Sequence, residues 1–201
     1  MSVKLVSYSK DYLSTILGAI SQCHGKPASP KVLESVISSG HLSVLEHSMA
    51  TFEIQCSLAV LGQITRHRHL SFTVKSTRVA EFGDVYVIPE DLPKKAKDLF
   101  SYTYDKVVNN YARLIELGAS RESAAYLLPK ATMTSMYVSG NLRAWLEYLP
   151  HRLCSRALPE HREVAARIHS ELTLAMPEIF NRNLKKCDSC KEKSCTFGGK
   201  Q

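Results

Sequence analysis

Gln63-Ile64-Thr65-Arg66-His67-Arg68-His69-Leu70-Ser71-Phe72-Thr73-Val74-Lys75-Ser76-Thr77-Arg78 sets three arginines, two histidines and two serines in sixteen residues and contains no carboxylate. An Arg-x-Arg pair followed by a hydroxyl and a third guanidinium suits an anion, because guanidinium forks grip phosphate oxygens bidentately and hydroxyls complete the shell. On composition alone the alternative is a basic loop facing solvent. Immediately upstream, Leu58 to Ile64 reads as a short helix that delivers Arg66 at its end. Before it, Phe52, Ile54 and Cys56 alternate with Thr51, Glu53 and Gln55. A period of two is the mark of a strand with one wet face.

Working outward, residues 9 to 22 read as a first helix. Ser29-Pro30, followed by Val32, Leu33, Val36 and Ile37 and closed by Gly40, reads as a second. Asp84 to Ile88, closed by Pro89, is taken as a strand joining the first in a sheet. From Leu92 to Leu117 apolar residues recur at helical spacing, and Gly118 supplies the stop. Ser120 can cap a further helix. Asn141 to Tyr148 and Glu160 to Ala175 read as helices separated by Pro150 and Pro159, whereas Met133 to Val138 is ambiguous between strand and helix. Helices mixed with a few non-alternating strands predict an α+β fold, with helices packed on a small antiparallel sheet.

The central run resembles the motif of flavin-dependent thymidylate synthases, Arg-His-Arg followed after seven residues by Ser, which Arg66, His67, Arg68 and Ser76 satisfy, with Gln63 and Arg78 also in place. Leu128-Pro129, Asn141-Leu142-Arg143, Leu149-Pro150-His151-Arg152 and Ala157-Leu158-Pro159-Glu160-His161-Arg162 follow the family's C-terminal pattern. Ser43-Val44-Leu45-Glu46-His47 is also typical of it. The resemblance implies that dUMP is methylated to dTMP, with a methylene from methylenetetrahydrofolate and a hydride from FAD that NADPH has reduced. It implies Arg152 as the catalytic group beside the uracil ring. Gln63, Arg66, Ser76, Arg78 and Arg152 would hold dUMP, while Ser43, Arg66, His67, Arg68, Asn141, Arg143 and position 147, here Glu147, would face FAD. It further implies a homotetramer whose subunits share their active sites. Arg143 and Arg152 are expected to serve different ligands, and Trp145 and Tyr148 to be core or interface aromatics.

The chain departs from the family pattern at several places. Val74 stands where a glutamate is usual, Val79 for a tyrosine, Ala125 for a phosphate-binding arginine, Glu147 for asparagine, Arg156 for histidine and Leu158 for glutamine. Arg121 or Lys130 is a candidate to replace the arginine lost at Ala125, and Glu147 with Arg156 a candidate exchanged pair. A relative that leaves a different product on the uracil nucleotide, such as hydroxymethyl, is the second reading.

The 201 residues, 44% of them hydrophobic, can bury one core. Of the net charge of +7, residues 181–201 carry +4, from six Lys or Arg against two acidic residues, so the body carries only +3. That balance favours small phosphorylated ligands over a polynucleotide groove. One domain over 1–180 and a basic, Cys-containing tail over 181–201 are expected. Without a secretory profile or a membrane-length apolar run, a cytoplasmic protein is expected. In the tail, Cys187, Cys190 and Cys195 have zinc-like spacing but offer three thiolates, with His169 or another subunit as a source of a fourth ligand. A non-catalytic nucleic-acid-binding protein with a basic, Cys-rich tail is the rival from another class.

Overall fold

A computed structural model describes residues 1–185, 187, 190–192 and 194–196; the other tail positions lie outside the described residues. Strands β1 (Ser2–Tyr8), β2 (Met49–Ser57), β3 (Ser71–Val74) and β4 (Met133–Asn141) form one antiparallel sheet in the order β1-β2-β4-β3. Helices α1 (Tyr12–His24), α2 (Leu33–Ser38), α3 (Leu58–Ile64), α4 (Lys94–Glu116), α5 (Arg121–Ala124), α6 (Leu142–Arg152), α7 (Pro159–Ala175) and α8 (Pro177–Phe180) complete the α+β architecture.

The sheet is built on β2 and β4, which pair without interruption from Met49–Asn141 to Ser57–Met133. Alternation decides what each face does. Ala50, Phe52, Ile54 and Cys56 of β2 and Met136 and Val138 of β4 are buried, while Thr51 and Ser139 on the opposite face hydrogen-bond to one another at 2.9 Å. The core lies between the inner face and α1, α6, α7 and α8, with Ile16, Ile20, Trp145, Leu149, Ile168, Leu172 and Phe180 all buried. Trp145 meets Phe52 edge to face at 5.0 Å, and its indole N–H donates to the Ala50 carbonyl at 3.1 Å, so the largest core side chain leaves no polar atom unpaired.

Two expectations are corrected and one strand is added. Asp84–Ile88 is not a strand beside β2: it makes a single bridge, Tyr86 to Thr132. The reason is that β3 already occupies the outer edge of β4 over Met136–Ser139, and Tyr86 is instead held by stacking on Tyr104 of α4, 3.9 Å between ring centres. Pro150 does not separate two helices. It lies within α6, which runs on to Arg152; the missing N–H costs one internal bond, and burial of Leu146 and Leu149 keeps the helix going. Finally, β1 is an edge strand that the sequence reading left out. Its register slips between Leu5 and Ser7, so strict alternation is lost within seven residues.

Ser57 ties sheet, α3 and α7 together. Its hydroxyl accepts from the Val60 N–H at 3.2 Å, capping α3, and donates to Glu160 at 2.6 Å, while Glu160 also accepts the Ser57 N–H at 2.8 Å. The first turn of α7 is thereby pinned to the start of the helix that delivers Arg66.

Candidate functional site

Beyond Ile64 the chain closes two tight turns, His67 N–H to the Ile64 carbonyl and Leu70 N–H to the His67 carbonyl, each 3.1 Å. Leu70 is buried, which leaves Arg66, Arg68 and His69 directed outward. Facing them are Ala144, Glu147, Tyr148 and His151 of α6, and loop and helix together line a cleft of about 290 Å³. Arg66 and Arg68 are exposed. Neither guanidinium has a hydrogen-bond or carboxylate partner among the described residues. Two unpaired guanidiniums at the mouth of a cleft are the donor set an anion needs.

Behind the cleft lies one guanidinium within a connected set of neutral groups. Arg152, half-buried, donates from Nε to His67 Nε2 at 2.9 Å and from Nη2 to the Gln63 carbonyl at 3.1 Å. His67 therefore presents an unprotonated nitrogen. Burial, reinforced by the Arg152 charge and then by His151, lowers its pKa to about 4. The Gln63 side-chain oxygen lies 3.2 Å from His161 Nδ1, and His161 Nε2 lies 3.0 Å from the Tyr148 hydroxyl. With Gln63 accepting, His161 donates from Nδ1 and accepts the Tyr148 proton at Nε2, which fixes one tautomer. Burial and the nearby Arg152 push the His161 pKa down to about 3, and burial raises that of Tyr148. The Arg152 pKa itself is lowered, mainly by burial.

The other sequence candidates fall into separate places. Arg143 donates to Glu46 at 2.6 Å and to Glu147 at 2.8 Å, so its guanidinium is fixed beside the cleft. It sits about two and a half helical turns before Arg152 on the same helix, and the two face opposite ways. The Asn141 side-chain oxygen caps α6 by accepting the Ala144 N–H at 2.8 Å. Ser43 is exposed in the 3₁₀ turn Leu42–His47. Ser76 and Arg78 lie past β3, outside the cleft lining, where Arg78 pairs with Glu122 at 3.1 Å. The expected Glu147–Arg156 pair does not form: Glu147 holds Arg143, and Arg156 reaches Glu192 at 3.5 Å. Arg121, offered as a substitute at the phosphate, is engaged by Glu81 at 3.0 Å.

The profile described as "Thymidylate synthase complementing protein" matches residues 4–178. The chain belongs to the flavin-dependent thymidylate synthase family. The protein of that name from Saccharolobus solfataricus is 34% identical, over 93% of this chain and 78% of its own length. The namesake from Sulfurisphaera tokodaii is likewise 34% identical, over 90% of this chain and 76% of its own. A third, from Pyrococcus furiosus, is 36% identical over 71% of this chain and 62% of its own.

Family membership implies a flavin, and the donor set fits one. A flavin dinucleotide brings a diphosphate and a flat ring; Arg66 and Arg68 offer free N–H groups to the first, and the small Ala144 leaves the cleft open to the second. Val74 lies on β3, so the carboxylate the family pattern carries there is absent. Glu147 is then the one carboxylate among the cleft-lining residues. Sequence reading missed His69, Ala144, His151 and His161 as site residues. His161 stands within the quoted Pro159-Glu160-His161-Arg162 segment, but only its complete burial singles it out.

Proposed function

We propose that this chain methylates dUMP to dTMP, taking the carbon from methylenetetrahydrofolate. FAD, once bound and reduced by NADPH, supplies the hydride that turns the methylene into a methyl group. The observation that carries the reading is the cleft lined by the Arg66–Arg68 loop, with Arg152 held directly behind it through His67, in a chain of this family.

Each residue has a role its environment supports. Arg66 and Arg68 bind phosphate oxygens, and Arg143, locked by Glu46 and Glu147, borders the flavin together with Ser43, His67 and Asn141. Arg152 sits beside the uracil, where its charge favours negative charge on the ring and so makes C5 a better nucleophile. His67 and the Gln63 carbonyl hold that guanidinium without neutralising it, since neither carries a charge. Ser76 and Arg78, away from this cleft, complete the nucleotide site of a neighbouring subunit in a homotetramer. The long helix α4 supports such an assembly, because only Tyr104 and Tyr111 along it are buried while Leu99 and Tyr102 are exposed. Among the described residues no helix is long and apolar enough to cross a membrane, and a cytoplasmic location fits the reading.

The test is to incubate the purified protein with dUMP, methylenetetrahydrofolate, NADPH and FAD and weigh the nucleotide product. A gained methyl supports the proposal, whereas a gained hydroxymethyl replaces it with the sister reaction. Colourless protein that takes up no FAD and retains polynucleotide at moderate salt removes the enzyme reading. Arg152→Ala is expected to lower turnover about 100-fold or more while flavin stays bound; unchanged turnover removes Arg152 from its role.

A further inference from the structure

A second cavity lies beside the arginine cleft and is larger than it. It measures about 730 Å³, lies on the other side of Glu147 and His151, and is lined by Cys154, Cys187, Cys190 and Cys195. The two remaining cysteines are elsewhere, Cys23 exposed on α1 and Cys56 buried in the sheet. Four soft donors on one cavity are what a tetrahedral thiolate site requires. Their local geometry agrees. The Cys190 N–H donates to the Cys187 carbonyl at 3.3 Å, closing the Cys-x-x-Cys segment into a turn, and the Glu192 N–H lies 3.5 Å from Cys190 Sγ.

Two contacts bring the tail turn to the loop that follows α6. The Ser155 hydroxyl lies 3.8 Å from Cys187 Sγ, and Arg156 pairs with Glu192 at 3.5 Å. The tail turn therefore lies against the loop that carries Cys154, which is the sulfur the loop adds. His169, the fourth ligand suggested by sequence, does not line this cavity; its Nε2 donates to the Phe180 carbonyl at 2.9 Å. Among the described residues no three ligand side chains are yet gathered around one point. The loop and turn must close on the ion to gather the four sulfurs, as is usual where metal binding and local folding are coupled.

We propose that Cys154, Cys187, Cys190 and Cys195 bind one zinc ion as a structural centre that fastens the C-terminal segment to α6. Binding displaces the thiol protons and leaves a closed tetrahedron with no position for a substrate. Arg182 lines the same cavity, and Lys185 and Lys191 flank the tail cysteines in sequence, so the four thiolates stand in a basic segment. The centre stands apart from the dUMP reaction and from the Arg66 cleft, touching it only through the shared wall of Glu147 and His151.

The full chain, expressed with added zinc and purified under reducing conditions without chelator, is assayed for metal content. About one zinc per chain is expected from four-sulfur coordination. Cys154→Ser, Cys187→Ser, Cys190→Ser and Cys195→Ser should each lose most of it, and Cys23→Ser none. Cobalt titrated into the metal-free chain provides a readout independent of those variants, since strong sulfur-to-cobalt charge-transfer and tetrahedral d–d bands are expected. Absence of zinc and of those bands overturns the proposal, as does a disulfide between any two of the four cysteines in the zinc-supplemented protein. Zinc retained in Cys154→Ser but lost in His151→Ala overturns the four-sulfur assignment.

Discussion

His161 has no exposed surface, and its ring is satisfied only while it is neutral: Nδ1 donates to Gln63 and Nε2 accepts from Tyr148. Protonation would break the bond from Tyr148 and place a buried cation near Arg152. Because the folded-state pKa is lowered from 6.5 to about 3, the unfolded chain takes up the proton first as pH falls. The stability that neutral His161 contributes is therefore complete above pH 6.5 and is lost progressively as pH drops toward about 3. For this one group the loss between pH 7 and pH 5 is about 2 kcal/mol. His67, lowered to about 4, acts in the same direction. Urea unfolding at the two pH values should show the slope in the native chain and a clearly shallower one in His161→Gln, which keeps a polar side chain without a titrating ring. Equal slopes in the two proteins would show that another group governs acid sensitivity. No spacing rule could reveal this histidine. Its role depends on α7 crossing behind α3, a relation between segments almost a hundred positions apart.

Asn141 lies where β4 ends and α6 begins, and its side-chain oxygen caps the helix while its amide nitrogen remains available to a ligand. The two roles separate by substitution. Asn141→Ala should cost about 1 kcal/mol in chemical denaturation through loss of the cap, and Asn141→Asp, which keeps the acceptor, should retain stability. If the amide faces flavin, Asn141→Asp should nevertheless bind FAD more weakly in a fluorescence titration, because a donor has become an anion. Undiminished FAD affinity would leave Asn141 as a cap alone. Elements of this kind were legible to different degrees. The alternation of Phe52, Ile54 and Cys56 announced β2, and the apolar spacing from Leu92 to Leu117 announced α4. β4 hid because its buried face mixes Thr134 and Gly140 with Met136 and Val138, so polarity does not mark its two sides. The Asp84–Ile88 segment has strand composition, but whether it pairs depends on which edge β3 has already taken.

Across the whole molecule, the basic groups of the motif divide into two sets: Arg66 and Arg68 lining the cleft with Arg152 behind them on His67, and Arg78 past β3 with Glu122. Ser76 and Arg78 follow Arg66 by so few residues that sequence reading placed them together. The strand between them carries them apart. If both sets serve one nucleotide, they must come from different chains, and the little-buried α4 offers surface for that association. The consequence can be tested by complementation. Arg152→Ala and Arg78→Ala are each expected to be nearly inactive as pure proteins. Unfolded together and refolded as a mixture, they should form some sites that draw native Arg152 from one chain and native Arg78 from the other. Turnover should then return in the mixture but not when the refolded pure variants are combined without subunit exchange. Sedimentation of the native chain as an oligomer is a necessary companion result. A monomer with full activity, or a co-refolded mixture as inactive as its parts, would mean that both arginines act within one chain, and the loop from Ser71 to Arg78 would then have to fold back over the cleft to bring them together.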